Sequence, residues 1–305
     1  MTTKRTFLQE LNRQKMSYLF IFAPFALFLI FVLGPAIASF ILSFTKYNVV
    51  HPPEFVGLRN YKDIITNDPR FFKAMKNTII YVVGVVPIGI ILAALIAFAI
   101  DQRIKLKNFF KGALFLPTVT SIIASSVMWS WLYTGGKYGL INYFVLMKLG
   151  FQPINWLMSP VWTLPAIMIM SVWAGLGYNV ILFIAGLQTI PRTMYEAAEV
   201  DGAGYWSKFF KITVPLLKPT IVFATIMSAI VSFQVFEQIY VMTQSSGGRL
   251  GGVLDSALTG VPYLFDMGFT KLRMGYASAL AYIIFFIILI LTFINIKFVK
   301  SKVEY

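Results

Sequence analysis

Side chains able to do covalent or metal chemistry are scarce in this sequence. It has no cysteine and a single histidine, His51, which lies beside two prolines. Disulfides and thiolate catalysis are therefore excluded. A single histidine is also too few for a histidine-based metal site and leaves only one candidate for a histidine catalytic base. The phosphate-binding loop Gly-x-x-x-x-Gly-Lys-Ser/Thr is also absent. We predict that the chain is not an enzyme and holds no metal or cofactor of its own.

Acidic side chains cluster in one place. Glu196, Glu199 and Asp201 fall within six residues and flank the pair Ala197 and Ala198. Small alanines permit close approach by a partner, and the carboxylates can meet its Arg and Lys side chains. An amphipathic helix resting on lipid is the alternative, but an anionic inner leaflet would repel three acids. The cluster therefore favours a protein docking surface.

A helix, a turn and a second helix are predicted to position these acids. Pro191 suits the first turn of a helix. Gly202 and Gly204 end that helix and let the chain turn. A second short helix with an aromatic face is expected over about residues 205–212, before Pro215 leads onward. This segment is predicted to lie outside the membrane.

The composition of the whole chain is that of a membrane protein. Of its 305 residues 58% are hydrophobic and 12% are charged, whereas a soluble domain has about 25% charged residues. The net charge of +14 comes from basic residues in short loops between apolar blocks, not from a stripe along one face. This pattern sets membrane orientation and gives no indication of nucleic-acid binding.

Six stretches are long enough to cross a bilayer, which takes about 20 apolar residues. They cover about residues 17–45, 77–100, 112–134, 162–187, 219–242 and 274–297. We predict an all-α polytopic domain over 17–298, a cytoplasmic N-terminal segment over 1–16 and a cytoplasmic loop over 191–215. With both termini inside, the inner segments carry 15 basic residues and the longer outer ones carry 11. This bias favours cytoplasmic N and C termini.

Prolines interrupt four of these spans, at Pro24, Pro35, Pro87, Pro117 and Pro165. Each removes a backbone hydrogen bond and bends its helix. Membrane helices tolerate such bends, so they are compatible with a purely structural role. They are equally compatible with a pathway lined by bent helices.

The loop over 191–215 carries a spaced motif. Glu196-Ala197-Ala198 is followed after three residues by Gly202, after nine more by Ile212 and after two more by Pro215. This spacing resembles the EAA loop of binding-protein-dependent ABC importers. Asp201-Gly202-Ala203 is similar to the carbohydrate branch of that family, the maltose-type and glycerol-phosphate-type permeases, although Val214 replaces the usual leucine. Weaker resemblances lie at residues 55–61, 77–78, 236–243 and 274–279.

The resemblance implies a type I ABC importer permease fold with six transmembrane helices. It implies that the loop is a coupling helix that docks on a separate ATPase. The residues to which this role is carried over are Glu196, Ala197, Ala198, Asp201 and Gly202. The implied partners are a second homologous permease, two ATPase subunits that hold ATP and Mg, and an extracytoplasmic solute-binding protein. The implied location is a bacterial or archaeal cytoplasmic membrane.

A sugar pathway is expected near mid-membrane on spans three to five, because sugars need hydrogen-bonding groups and aromatic faces in an otherwise apolar cavity. The candidates are Ser171, Gly175, Tyr178, Asn179, Ser228 and Ser232. By distance from the loop motif, all but Asn179 fall near positions that contact sugar in maltose-type permeases. That family has asparagine where Ser171 and Ser232 stand, so a different cargo is expected. Small serines and glycines also suit helix–helix packing.

Glu237 is the only acid inside a predicted span. On a continuous fifth helix it would lie about 27 Å from Pro219, near the outer mouth. Ionisable groups there are usually functional. We predict a role in gating or in a structural ion pair.

Three other interpretations remain open. An ion-coupled secondary transporter would carry paired broken helices and buried carboxylates, and here only Glu237 qualifies. A non-transporting scaffold or a membrane enzyme is the second alternative. An enzyme is disfavoured because the chain has one histidine, no cysteine and no clustered carboxylates within the spans. Within the importer class, the cargo could also be glycerol phosphate or an amino sugar. A phosphate would favour Arg or Lys inside the spans, where the only such residue is Lys297 at the very end of the last span. We therefore favour a neutral di- or oligosaccharide.

Overall fold

The computed structural model describes residues 15–101, 106–245 and 247–300, except for the side chains of Leu19 and of residues 295–300. Almost all of the predicted N-terminal segment over 1–16 lies outside these residues. The described chain is helical apart from loops and one short antiparallel ladder, which pairs β1 (Thr45–Lys46) with β2 (Glu54–Phe55).

Twelve α-helices make up the described structure. They are α1 Lys15–Leu42, α2 Arg59–Asn67, α3 Pro69–Asp101, α4 Lys107–Val119, α5 Ile122–Leu132, α6 Thr163–Leu187, α7 Arg192–Val200, α8 Tyr205–Leu216, α9 Lys218–Phe233, α10 Glu237–Gln244, α11 Gly260–Phe265 and α12 Met274–Lys300. π-Helical turns interrupt α1 at Leu29–Leu33 and α8 at Phe209–Thr213, and another follows α11 at Asp266–Thr270.

Four of these helices, α1, α3, α6 and α12, are each long and apolar enough to cross a membrane. Two bent pairs also qualify if each pair is one span. The axes of α4 and α5 differ by 97°, and those of α8 and α9 differ by 71°. The predicted fold class, an all-α polytopic membrane protein, is therefore confirmed, with up to six spans in the described chain.

The predicted third span over 112–134 is not one continuous helix. α4 ends at Val119, and the next two residues adopt extended ψ angles of 139° at Thr120 and 129° at Ser121. The proline that was expected to bend this span, Pro117, lies within the last turn of α4. The break follows it because two successive extended residues cannot continue the i to i−4 hydrogen bonds.

The predicted fifth span over 219–242 is also broken. α9 ends at Phe233 and α10 begins at Glu237, with Phe236 far from helical geometry at φ −138° and ψ −61°. The 16 residues of α9 extend only about 24 Å, less than the hydrocarbon thickness of about 30 Å. The assumption of an unbroken fifth helix, from which the distance of Glu237 was estimated, was therefore wrong.

The long helices pack around α3, which lies against α6 and α9. Small residues of α3 permit this close packing, because Ala93 and Ala97 are fully buried. On α6 the buried partners include Ile167, Met170 and Phe183. By contrast, α1 leaves nearly all of its apolar side chains exposed and meets α12 mainly near Tyr282, whose hydroxyl donates to Ala36 O at 2.6 Å.

The end of the bundle opposite α7 is held by an ion-pair cluster. The Arg70 guanidinium on α3 donates two hydrogen bonds of 2.9 Å to the Asp255 carboxylate and one of 2.6 Å to Asp266. Asn77 Nδ2 donates to the carbonyls of Asp255 and Leu258, each at 2.9 Å. These contacts anchor the α10–α12 connection to α3. The hydrogen bonds from Arg70 lower the pKa of Asp255 against the opposing effect of burial.

Replacing Arg70 with methionine should release this connection. Two acceptors, Asp255 and Asp266, would lose charged hydrogen bonds, which contribute about 1.5–3 kcal/mol each and less here because the pair is about a third exposed. We expect about tenfold faster tryptic cleavage at Arg249 through local opening. Lys62→Met, which removes an exposed charge from α2, is the matched control. Equal cleavage of both variants would contradict the anchoring role.

The same anchor should weaken in acid. Because the folded-state pKa of Asp255 is lowered, its contribution is full above the ordinary Asp value of about 4 and disappears as the pH falls through the lowered pKa. Hydrogen exchange of the Asp255–Leu258 amides against pH would follow this change in the parent, whereas Arg70→Met should show a much flatter profile.

Candidate functional site

A cavity of about 640 Å³ lies between α3, the α4–α5 break, α6 and the α9–α10 break. Most of its wall is apolar. The polar side chains on that wall are Tyr81, Thr118, Thr120, Ser171, Tyr178, Asn179, Ser228, Ser232, Gln234, Glu237 and Gln238. The cavity opens to the surface of the chain, since Tyr178 is 50% and Val231 is 67% exposed. Its size and chemistry suit a small polar solute.

All six predicted pathway residues line this one cavity: Ser171, Gly175, Tyr178, Asn179, Ser228 and Ser232. Their side chains differ in availability. The Ser171 hydroxyl donates to Ile167 O at 2.8 Å within its own helix. The Tyr178 side chain is exposed, whereas Val180, two residues further along α6, is buried. Ser228 on α9 is half-buried. The structure brings the candidates together, although it contains no solute that would test their role.

Residues of α3 form a wall of the cavity that the prediction for spans three to five did not include. Tyr81, Val85 and Gly89 recur every four residues and all line the cavity. This spacing places them on one helical face. The signal was present in the sequence, but the same spacing also suits an ordinary packing face, as buried Ala93 and Ala97 continue it.

Two amide side chains on the wall have unpaired acceptors. Asn179 is 8% exposed, and neither its Oδ1 nor the Oε1 of Gln238 accepts a hydrogen bond within the described residues. A buried acceptor without a partner costs about 1–3 kcal/mol. Both oxygens are enclosed by protein atoms, so a water molecule or a solute hydroxyl could reach them only if the surrounding side chains moved.

Glu237 lies on the cavity wall rather than apart from it. The break after Phe233 places it at the first residue of α10, with its side chain exposed. It forms no ion pair with any residue in the described ranges, so the predicted structural ion pair is not found there. The structure overturns the continuous helix that was assumed for this residue, and the predicted gating role stays a prediction.

Glycine permits the closest helix contact at the cavity. A Cβ on Gly177 of α6 would lie 2.1 Å from Leu114 O and 2.7 Å from Thr118 Oγ1 of α4. Gly175, two residues earlier, has open space at the same position and faces the cavity. One glycine therefore lets α4 approach α6, while the other keeps the solute space open.

At one end of the bundle, α7 closes with a Schellman motif. Ala203 N donates to Ala198 O at 2.8 Å and Gly202 N donates to Glu199 O at 3.0 Å. This arrangement requires a left-handed residue, and Gly202 provides it with φ 73°. The predicted helix–turn–helix is thus present, with the second helix extended to Leu216.

The predicted docking residues are accessible on this motif. Glu196, Ala197, Asp201 and Gly202 are exposed, whereas Ala198 is half-buried. The four exposed residues therefore form a free surface of α7 and its C-terminal turn. Mutual contacts fix the two helices, because Lys208 donates to Glu199 at 2.7 Å.

Aromatic packing attaches this motif to the spanning helices. The ring of Phe98, near the end of α3, lies 4.8 Å from Tyr205 and 5.1 Å from Phe209 of α8. The hydroxyls of Tyr195 and Thr213 lie 2.9 Å apart and link α7 to α8. Burial raises the pKa of Tyr195, and its hydrogen bond to Thr213 opposes that shift. The phenol therefore stays neutral at physiological pH.

A solute cavity between broken apolar helices, with an exposed acidic helix at one end, defines a transport permease. The comparisons identify its family. The family model described as "Binding-protein-dependent transport system inner membrane component" matches residues 64–303. The chain belongs to this family of ABC importer permeases. It is a transport subunit and a multi-pass membrane protein.

Three relatives match over most of the chain. The arabinooligosaccharide transport permease of Bacillus subtilis strain 168 is 36% identical, over 94% of this chain and 89% of its own length. The lactose transport permease of Rhizobium radiobacter is 33% identical, over 93% and 94%. The trehalose/maltose transport permease of Thermococcus litoralis is 33% identical, over 93% of each.

Solved structures agree on the fold. A chain of a bacterial ABC transporter that imports the acidic polysaccharide alginate superposes with a TM-score of 0.83 at 21% identity, over 97% of this chain and 99% of its own. A second structure, in which that transporter is bound to a periplasmic protein with an alginate pentasaccharide, gives a TM-score of 0.82. At this identity the match establishes the permease fold alone.

The two cavity glycines give a matched test of this geometry. Gly177→Ala should push α4 from α6 and destabilise the protein by about 1–3 kcal/mol, measured as a lower thermal unfolding temperature in detergent. Gly175→Ala should leave that temperature nearly unchanged, because its Cβ meets no atom within 4 Å. Equal stability of both variants would show that the α4–α6 contact does not depend on Gly177.

Proposed function

We propose that this chain is one permease subunit of an ATP-driven importer of a neutral di- or oligosaccharide. The observation that carries the proposal is the cavity itself. It combines hydroxyl and amide side chains with apolar walls and the exposed Tyr178 ring. Such a surface suits a saccharide, whose hydroxyls need hydrogen-bond partners and whose apolar ring faces stack on aromatic side chains.

Two observations support a carbohydrate cargo. The relatives described above are named as permeases for arabinooligosaccharides, lactose and trehalose or maltose. In addition, no Lys, Arg or His is among the residues that line the cavity in the described part of the chain. A phosphate-bearing cargo such as glycerol phosphate would have no cation to bind there.

In this proposal α7 couples transport to ATP hydrolysis on separate subunits. Glu196, Ala197, Asp201 and Gly202 would dock in a cleft of an ATPase subunit, with half-buried Ala198 beside them. ATP and Mg²⁺ would be bound by two such subunits. Because α7, α8 and α3 are packed together, motion of the ATPase would turn the spanning helices as a rigid body.

The remaining partners would complete the pathway. A second homologous permease would cover the open side of the cavity and the exposed apolar surface of α1. An extracytoplasmic solute-binding protein would deliver the cargo to the end opposite α7. This arrangement would place α7 and both termini in the cytoplasm of a bacterial or archaeal cell, with the helices in its cytoplasmic membrane.

Uptake into proteoliposomes tests the function. Vesicles that contain this chain, the second homologous permease, the ATPase subunits and the solute-binding protein should accumulate labelled lactose or arabinotriose. They should do so only when ATP is supplied on the side of the ATPase subunits. Vanadate should abolish uptake, and a proton uncoupler should leave it unchanged. Loss with the uncoupler alone would favour an ion-coupled secondary transporter instead, and uptake by this chain without its partners would refute the proposal.

Gly202→Pro tests the coupling helix. Proline fixes φ near −65°, whereas Gly202 has φ 73°, so the Schellman turn cannot form. We expect transport to fall at least about tenfold. The stimulation of the ATPase subunits by transport should disappear, while this chain still inserts into the membrane. Gly204→Ala is the matched control, because Gly204 has an ordinary φ of −72° and open space around it. Normal coupled transport by Gly202→Pro would contradict the role of α7.

A further inference from the structure

The cavity wall carries one formal charge. Among the described residues that line it, Glu237 is the only charged one, and no lysine, arginine or histidine accompanies it. The carboxylate forms no ion pair with the described residues and remains exposed. Its charge is therefore not neutralised locally within this chain and acts on whatever occupies the cavity.

The fold stabilises a negative side chain at this position. The break at Gln234–Phe236 places Glu237 at the first residue of the eight-residue helix α10. The positive end of a helix dipole favours a negative side chain. A continuous fifth helix would give no such end, so the break and the carboxylate belong together.

The neighbouring amides do not change the sign of this charge. Asn179 and Gln238 line the cavity beside Glu237, but their side-chain oxygens are buried. An amide carries both donors and an acceptor and no formal charge. The sign of the potential in the cavity is therefore set by Glu237.

We propose that Glu237 is a specificity-determining residue that makes the cavity electronegative. It admits hydroxyl-rich neutral or amino-bearing saccharides and disfavours anionic ones such as uronates and sugar phosphates. This inference rests on the proposed function for its cargo, but the potential in the cavity is a property of the chain that is measurable without any cargo.

Charged thiol reagents measure that potential directly. The chain has no native cysteine, so Val231→Cys, on the exposed cavity wall, creates a unique target. Val231 and Glu237 line the same cavity. The assembled importer in nanodiscs is treated with a cationic trimethylammonium and an anionic sulfonate methanethiosulfonate. Mass spectrometry of the peptide that contains residue 231 then gives both reaction rates.

The ratio of the cationic rate to the anionic rate should fall about three- to tenfold when Glu237→Gln is added, as expected for the loss of one charge from the wall of the same cavity in partly screened surroundings. Glu237→Asp should retain most of the ratio. Glu54→Gln, which removes an exposed charge from β2 outside the cavity wall, should leave it unchanged.

An unchanged ratio in Glu237→Gln would overturn the proposal, and so would an equal fall in Glu54→Gln. If Val231→Cys fails to assemble, Ser228→Cys on the same wall replaces it. If the rate ratio falls as expected in Glu237→Gln but the importer takes up neither lactose nor arabinotriose, the proposed cargo is wrong. The electronegative cavity is then still supported.

Discussion

The structure depends on one constraint: a backbone amide or carbonyl inside a bilayer must have a hydrogen-bond partner, because lipid offers none. Unbroken helices such as α3 and α6 meet this requirement internally. The chain departs from it at Thr120–Ser121 and at Gln234–Phe236, where two helices end inside predicted spans. Both breaks border the same cavity. Irregular backbone therefore occurs where water or a solute can reach it.

Polar residues line the cavity beside the second break. Gln234, Glu237 and Gln238 share one wall, and their i, i+3, i+4 spacing would place them on one face of a continuous helix as well. What the break adds is that Glu237 stands at the first residue of α10. The opposing walls are regular and closely packed, and Gly177 permits α4 to approach α6. The cavity thus combines an irregular polar side with a rigid one.

Much of this architecture could be predicted from local sequence. The apolar blocks identified the long helices, and the spacing from Glu196 to Pro215 predicted the motif that contains α7. The breaks could not be predicted, because neither Thr120–Ser121 nor Gln234–Phe236 contains glycine or proline. Their geometry is imposed by tertiary packing. The contact between Arg70 and Asp255 spans 185 residues, so no local pattern indicated it.

In the proposed importer, this packing decides which walls follow α7. Tyr195 and Thr213 join α7 to α8, and α8 turns by 71° into α9 at Leu217. A Cβ on Gly186 of α6 would lie 2.8 Å from side-chain atoms of Leu217 and Thr220, so α6 and the start of α9 are closely apposed. Rotation of α7 would then carry both helices together. Since these helices bear all six candidate pathway residues, the solute site would move as one unit relative to α10 and Glu237.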